Sequence, residues 1–99
     1  MDAKATTEAN MICDYLMSEF HCHVSVLIGD AVRFRIEADP SHWIYIPQEF
    51  FADTEAATII EMIEAGDLID ELENSDSPQY RAIERTGIRA VDAAYAKIG

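Results

Sequence analysis

The stretch His23-Val24-Ser25-Val26-Leu27-Ile28-Gly29-Asp30-Ala31-Val32-Arg33-Phe34-Arg35-Ile36-Glu37 decides the fold. Val24, Val26 and Ile28 alternate with His23, Ser25 and Leu27, and after Gly29-Asp30 the alternation resumes with Val32, Phe34 and Ile36 against Arg33, Arg35 and Glu37. A period of two marks half-buried strands, so the stretch predicts an antiparallel hairpin. Its register follows from the requirement that both apolar sets share a face. A loop from Gly29 to Ala31 pairs Ile28 with Val32, Val26 with Phe34 and Val24 with Ile36. A loop confined to Gly29-Asp30 would set Val26 opposite Arg33 and divide the apolar residues between core and solvent. The longer loop is therefore expected, with His23 facing Glu37 on the outer side.

Upstream, Ala9, Ile12, Cys13, Leu16 and Phe20 recur at helical spacing and predict a helix over roughly Thr6 to Phe20, with Asp14 and Glu19 toward water. Downstream, Asp39-Pro40-Ser41 signals a turn, and Trp43 to Ile46 reads as a short third strand, placed at an edge because Pro47 ends it. A second helix is expected from an Asp53 or Thr54 cap, burying Ala56, Ile59, Ile60 and Ile63. After the break at Gly66, Asp67 is expected to cap a short helix holding Leu68, Ile69 and Leu72. Ser77-Pro78 reads as the start of a last helix running to about Ile98, in which Gly87 would permit close approach of another element. A small antiparallel sheet can bury its apolar face only against helices. The expectation is one α+β domain over residues 1–99, two layers in the order α-β-β-(β)-α-α, with two to three antiparallel strands.

Ninety-nine residues with 26% charged side chains suit one modest core. Charge is the unusual feature: 19 acids against 7 Lys and Arg give a formal net charge of −12. The basic residues are Lys4, Arg33, Arg35, Arg81, Arg85, Arg89 and Lys97, so the stretch between Ile36 and Tyr80 has none and holds twelve acids. The seven acids elsewhere cancel the seven basic residues, and this central stretch carries the whole net charge. Such a balance disfavours direct binding of nucleic acid or anionic membrane, both of which need Lys and Arg, and favours a basic protein partner. Within it, Glu61, Glu64, Asp67, Asp70, Glu73 and Asp76 recur every three residues, with Glu71 beside them. A break at Gly66 keeps this row from drifting around a single helix, and its spacing of about 4–6 Å is comparable with successive phosphates of a nucleic-acid strand. The simpler reading is a solvated polar face, partly neutralised by Arg81, Arg85 and Arg89.

Other constellations carry less. His21-Cys22-His23 with Cys13 supplies ligand types that zinc accepts, but the spacing matches no zinc pattern, and consecutive residues at a helix-to-strand junction diverge. No metal or cofactor is expected, and both cysteines are expected as thiols in a cytoplasmic protein without a signal peptide or membrane span. There is no Ser-His-Asp logic, phosphate loop or paired carboxylate tied to an apolar cleft, so no enzymatic activity is expected. The outer sheet face displays Arg33, Arg35, Trp43 and Tyr45, a mixture enriched at protein interfaces.

In size and charge the chain resembles the small acidic DNA-mimic inhibitors made by bacteriophages, including anti-restriction and anti-CRISPR proteins, and acidic antitoxin or immunity proteins. The resemblance implies a non-enzymatic viral inhibitor or decoy that occupies a positively charged, nucleic-acid-binding site of a partner protein through Glu61, Glu64, Asp67, Asp70, Glu71, Glu73 and Asp76. The alternative is an interaction or dimerisation module, a homodimer included, that uses Arg33, Arg35, Trp43 and Tyr45 while the acids only solvate it.

Overall fold

The computed structural model describes residues 3–97, with side chains over residues 5–95. Helix α1 (Ala3–Phe20) leads into strands β1 (Val24–Ile28), β2 (Ala31–Ile36) and β3 (His42–Pro47). Helices α2 (Gln48–Ala52), α3 (Ala56–Ala65) and α4 (Leu68–Glu73) follow, then β4 (Tyr80–Glu84), β5 (Gly87–Ala90) and a short α5 (Ala93–Lys97). The five strands form one sheet in the order β1-β2-β3-β4-β5, antiparallel throughout except that β3 and β4 run parallel. The α+β class is as expected from sequence, but the sheet is larger and mixed.

The first hairpin has the expected register, Val24↔Ile36, Val26↔Phe34 and Ile28↔Val32. Phe34 and Ile36 are fully buried, and Ile44, Ile46 and Ile83 continue the same inner face across the sheet. Against that face lie Ala9, Ile12 and Leu16 of α1, Ile59 and Ile63 of α3, and Leu68 and Leu72 of α4, all within one apolar core. Two-layer packing follows because neither the sheet nor any one helix can otherwise bury its apolar side.

Three expectations are corrected. Tyr80 to Ala90 form a β-hairpin, not the first half of a long helix: Ile83 pairs with Ile88, Ala82 with Arg89, and the turn closes at Gly87, whose φ of +129° suits a residue without a Cβ. Gly87 thus serves a turn and not a close helix contact. Ile98, the expected helix end, lies outside the described residues. Strand β3 is central, because α2 to α4 form the crossover that a parallel neighbour requires and bring β4 alongside it. Pro47 ends β3 lengthwise without placing it at the sheet's edge. Finally, neither Asp53 nor Thr54 caps α3. Its N-cap is Glu55, with no side-chain cap of its own, and the Ala56 N–H instead donates to Glu8 Oε1 of α1 at 3.0 Å. Asp67 does sit at the N-cap of α4, in a left-handed conformation with φ 54° and without a side-chain cap bond.

Candidate functional site

Charged side chains concentrate on two faces. On the helical side, α3 ends at Ala65 and the chain turns through Gly66 and Asp67 into α4. That turn resets the helical phase, so acids three residues apart do not drift out of alignment. Glu64, Asp67, Asp70 and Glu73 line one shallow groove of about 220 Å³, joined by Tyr15 and Glu19 of α1. All five acids are exposed, and none has an ion-pair partner among the described residues. Burial, then the charges of Glu64 and Glu19, push the Tyr15 phenol up to about 12, so it stays protonated and keeps its O–H donor. The sequence places Glu19 toward water and singles out nothing at Tyr15. Their meeting with the α3–α4 acids depends on how α1 packs.

The remaining acids of the row diverge from the groove. Glu71 points to the sheet, where Arg81 Nε and a terminal guanidinium nitrogen donate to its Oε1 at 3.0 and 2.6 Å. Glu61 and Asp76 are exposed and lie outside the groove's lining. The structure therefore brings together four of the seven acids singled out from sequence.

Because the last segment is a hairpin, Arg81, Arg85 and Arg89 do not share a helical stripe. Arg81 meets Glu71, Arg85 lies at the β4–β5 turn 3.5 Å from Asp53, and Arg89 Nε donates to Glu84 at 2.7 Å. The bond from Arg89 is the leading reason the Glu84 carboxyl is held below its ordinary range.

On the outer sheet face the β2–β3 register sets Arg33 beside Tyr45 and Arg35 beside Trp43. The two guanidinium carbons lie 5.0 and 5.7 Å from the ring centroids, cation–π geometry. Tyr95 of α5 then stacks edge-on against Tyr45 with centroids 4.7 Å apart, and Arg89 lies over Tyr95 at 5.3 Å. Arg33 is only 4% exposed. It donates to Asp30 at 3.1 Å, and that bond lowers the Asp30 carboxyl below its usual value. Arg35 and half-exposed Leu27 remain open to solvent.

The cysteine and histidine cluster disperses. Cys13 Sγ–H donates to the Val24 carbonyl at 3.2 Å, and burial raises both thiols above their ordinary value, which makes them poor nucleophiles. Nε2 of His23 lies 3.7 Å from Glu37, across the hairpin as its register requires. Among the described residues no three His, Cys, Asp or Glu side chains converge as metal ligands, and no helix is long and apolar enough to cross a membrane. No family model, curated protein or solved structure is significantly similar to this chain.

Proposed function

We propose that the protein is a non-enzymatic decoy whose helical face occupies a positively charged site of a nucleic-acid-binding partner protein. One observation carries the reading: Glu19, Glu64, Asp67, Asp70 and Glu73 ring a single groove with no Lys or Arg lining it. Carboxylates without internal partners project their field outward, where it raises the local concentration and association rate of a basic partner. Along α4, Asp70 and Glu73 are separated by a rise of about 4.5 Å, of the same order as the axial spacing of about 3.4 Å between charges along one DNA strand. The anti-restriction, anti-CRISPR and antitoxin-like roles implied by size and charge fit this mode of action, as does a cytoplasmic setting.

The test is capture from cell lysate at about 50 and about 200 mM salt, followed by competition with duplex DNA. A basic nucleic-acid-binding protein retained at the lower salt, released at the higher and displaced by DNA supports the proposal. Captured partners that are indifferent to both salt and DNA overturn it. The alternative, an interface on the outer sheet face, draws on 50% exposed Leu27, which faces Arg33 across the hairpin, and on exposed Arg35 over Trp43. It is the narrower reading, because Arg33 and Tyr45 are engaged within the fold by Asp30 and Tyr95.

A further inference from the structure

Strand β1 ends the sheet at the opposite edge from β5, and its bonds to β2 fix which of its backbone groups face outward. The Glu37 N–H donates to the His23 carbonyl at 2.9 Å, and the Gly29 N–H donates to the Ala31 carbonyl at 3.0 Å. Bonds are therefore exchanged at Ser25/Arg35 and Leu27/Arg33, and the N–H and C=O groups of Val24, Val26 and Ile28 point away from β2. Cys13 of α1 agrees with this phase: its Sγ–H reaches the Val24 carbonyl at 3.2 Å and covers that end of the edge. No described group bonds to the N–H or C=O of Val26 or Ile28.

Exposed strand edges are ordinarily blunted by a charge, a proline or a bulge. Val24-Ser25-Val26-Leu27-Ile28 has no charge and no proline, and its register with β2 is uninterrupted; β5, at the other edge, carries Arg89. Val26 and Ile28 are only half-buried although their side chains lie on the core face, and Leu27 on the outer face is 50% exposed. The hairpin is locally neutral. From His23 to Glu37 it holds two acids and two arginines, with Asp30 paired to Arg33 and Glu37 accepting from Ser25 at 2.6 Å. On α1, exposed Asp14 adjoins Cys13 in sequence, whereas Tyr15, which lines the acidic groove, lies about 200° around the helix from Cys13.

We propose that two copies of the chain pair antiparallel through β1, with the twofold axis at Leu27, so that their five-stranded sheets join into one. In this register Val26 of each copy lies opposite Ile28 of the other, and every free N–H and C=O of these residues gains a partner. Leu27 then meets its counterpart at a non-hydrogen-bonded position, where side chains across a ladder come closest. A twofold axis at Val26 would instead call on the Val24 carbonyl, already engaged by Cys13, and set Leu27 against Ser25. A second copy fits because the strand is self-complementary, apolar against apolar, and a charged strand would find no opposite charge on β1. The net charge of −12 opposes association at long range, but salt screens that repulsion beyond about 8 Å at physiological strength and leaves the neutral hairpins in contact. Self-association should therefore strengthen with salt, the opposite of binding to a basic partner, and the inference does not rest on the acidic groove acting as a decoy.

The test is sedentation equilibrium of the full chain from about 10 to about 500 µM, the range suited to a small, weak interface, at low and at high salt, with amide hydrogen exchange across the same range. A monomer–dimer equilibrium that tightens with salt is expected, with exchange at Val26 and Ile28 slowing as protein concentration rises. Leu27→Lys should weaken dimerisation about tenfold or more by opposing two cations at the axis, although it lowers the size of each chain's net charge. Met11→Lys, at a 46% exposed position on α1, should leave dimerisation unchanged. Three results overturn the proposal: a monomer throughout the range at both salt concentrations, a dimer equally stable in Leu27→Lys and wild type, or concentration-dependent protection that falls on β5 and spares Val26 and Ile28.

Discussion

On the outer sheet face, Arg33, Arg35 and Arg89 each lie over an aromatic ring, and Arg33 and Arg89 also meet a carboxylate. Around the α3–α4 groove, Glu64, Asp67, Asp70 and Glu73 meet no cation at all among the described residues. The two faces carry comparable numbers of charged groups and differ in whether those groups are matched inside the fold. A surface field is set by the unmatched residue of charge, so the helical face of this molecule, not the arginine-bearing one, is positioned to act at a distance.

The largest expected effect separates the two sides of a single strand. Phe34 is fully buried beneath the helices and Arg33 is buried on the opposite face. Phe34→Ala should cost about 3–5 kcal/mol in urea unfolding, because it opens a cavity in the apolar core between the sheet and the helices. Arg33→Ala should cost about 1–3 kcal/mol, chiefly through lost packing on Tyr45. The reverse order would mean that the sheet's principal core lies under α5 and not under α1, α3 and α4.

That the inner face of β2 was legible while β4 and β5 were not has a local cause. Val24, Val26 and Ile28, then Val32, Phe34 and Ile36, recur at every second position on either side of a turn sequence, so only one register keeps these six apolar side chains together. Tyr80 to Ala90 offer just two large aliphatic residues, Ile83 and Ile88, and an arginine every fourth position, a pattern equally readable as a helix stripe. The parallel pairing of β4 with β3 decided between them, and such a long-range contact leaves no periodic mark on the sequence. The same holds for the site. Gly66 announced the break between α3 and α4, and with it the alignment of Asp67, Asp70 and Glu73; the diversion of Glu71 to Arg81 follows from a strand that periodicity did not reveal.

A second prediction concerns the seam between the helices and the sheet. His42 is buried, its Nδ1 accepts the Gln79 N–H at 3.1 Å, and the Leu72 carbonyl is its other partner. Burial, reinforced by the Arg81 charge, lowers its pKa. The unfolded chain then binds a proton more readily than the folded one, so this contribution to stability is complete above the ordinary histidine value of about 6.5 and is lost as pH falls from there through the folded-state value. Urea unfolding between pH 7.5 and 5.5 should show stability falling with pH, and His42→Gln should flatten that slope. An unchanged slope in the variant would place the titration elsewhere.

Smaller still is the matched acid. Glu71 is 53% exposed, so Glu71→Ala should cost no more than about 1 kcal/mol despite two short bonds to Arg81. A loss of several kcal/mol would show that the Arg81 guanidinium, left without its carboxylate, is effectively buried, and would weaken the distinction between matched and unmatched faces.

The most direct measurement is the salt dependence of partner binding for wild type and for a variant carrying Glu64→Lys, Asp67→Lys, Asp70→Lys and Glu73→Lys. Each change adds two charges, so the four shift the net charge by +8, from −12 to −4, at exposed positions where the fold should persist with little change in melting temperature. Wild-type affinity is expected to fall as salt rises from about 50 to about 200 mM, and the variant to associate more slowly with its salt slope largely gone. Arg35→Ala, on the other face, should leave affinity unchanged or slightly higher. A charge-reversed variant that binds with wild-type affinity and wild-type salt slope would rule out the decoy role and return the acidic groove to a solvated surface.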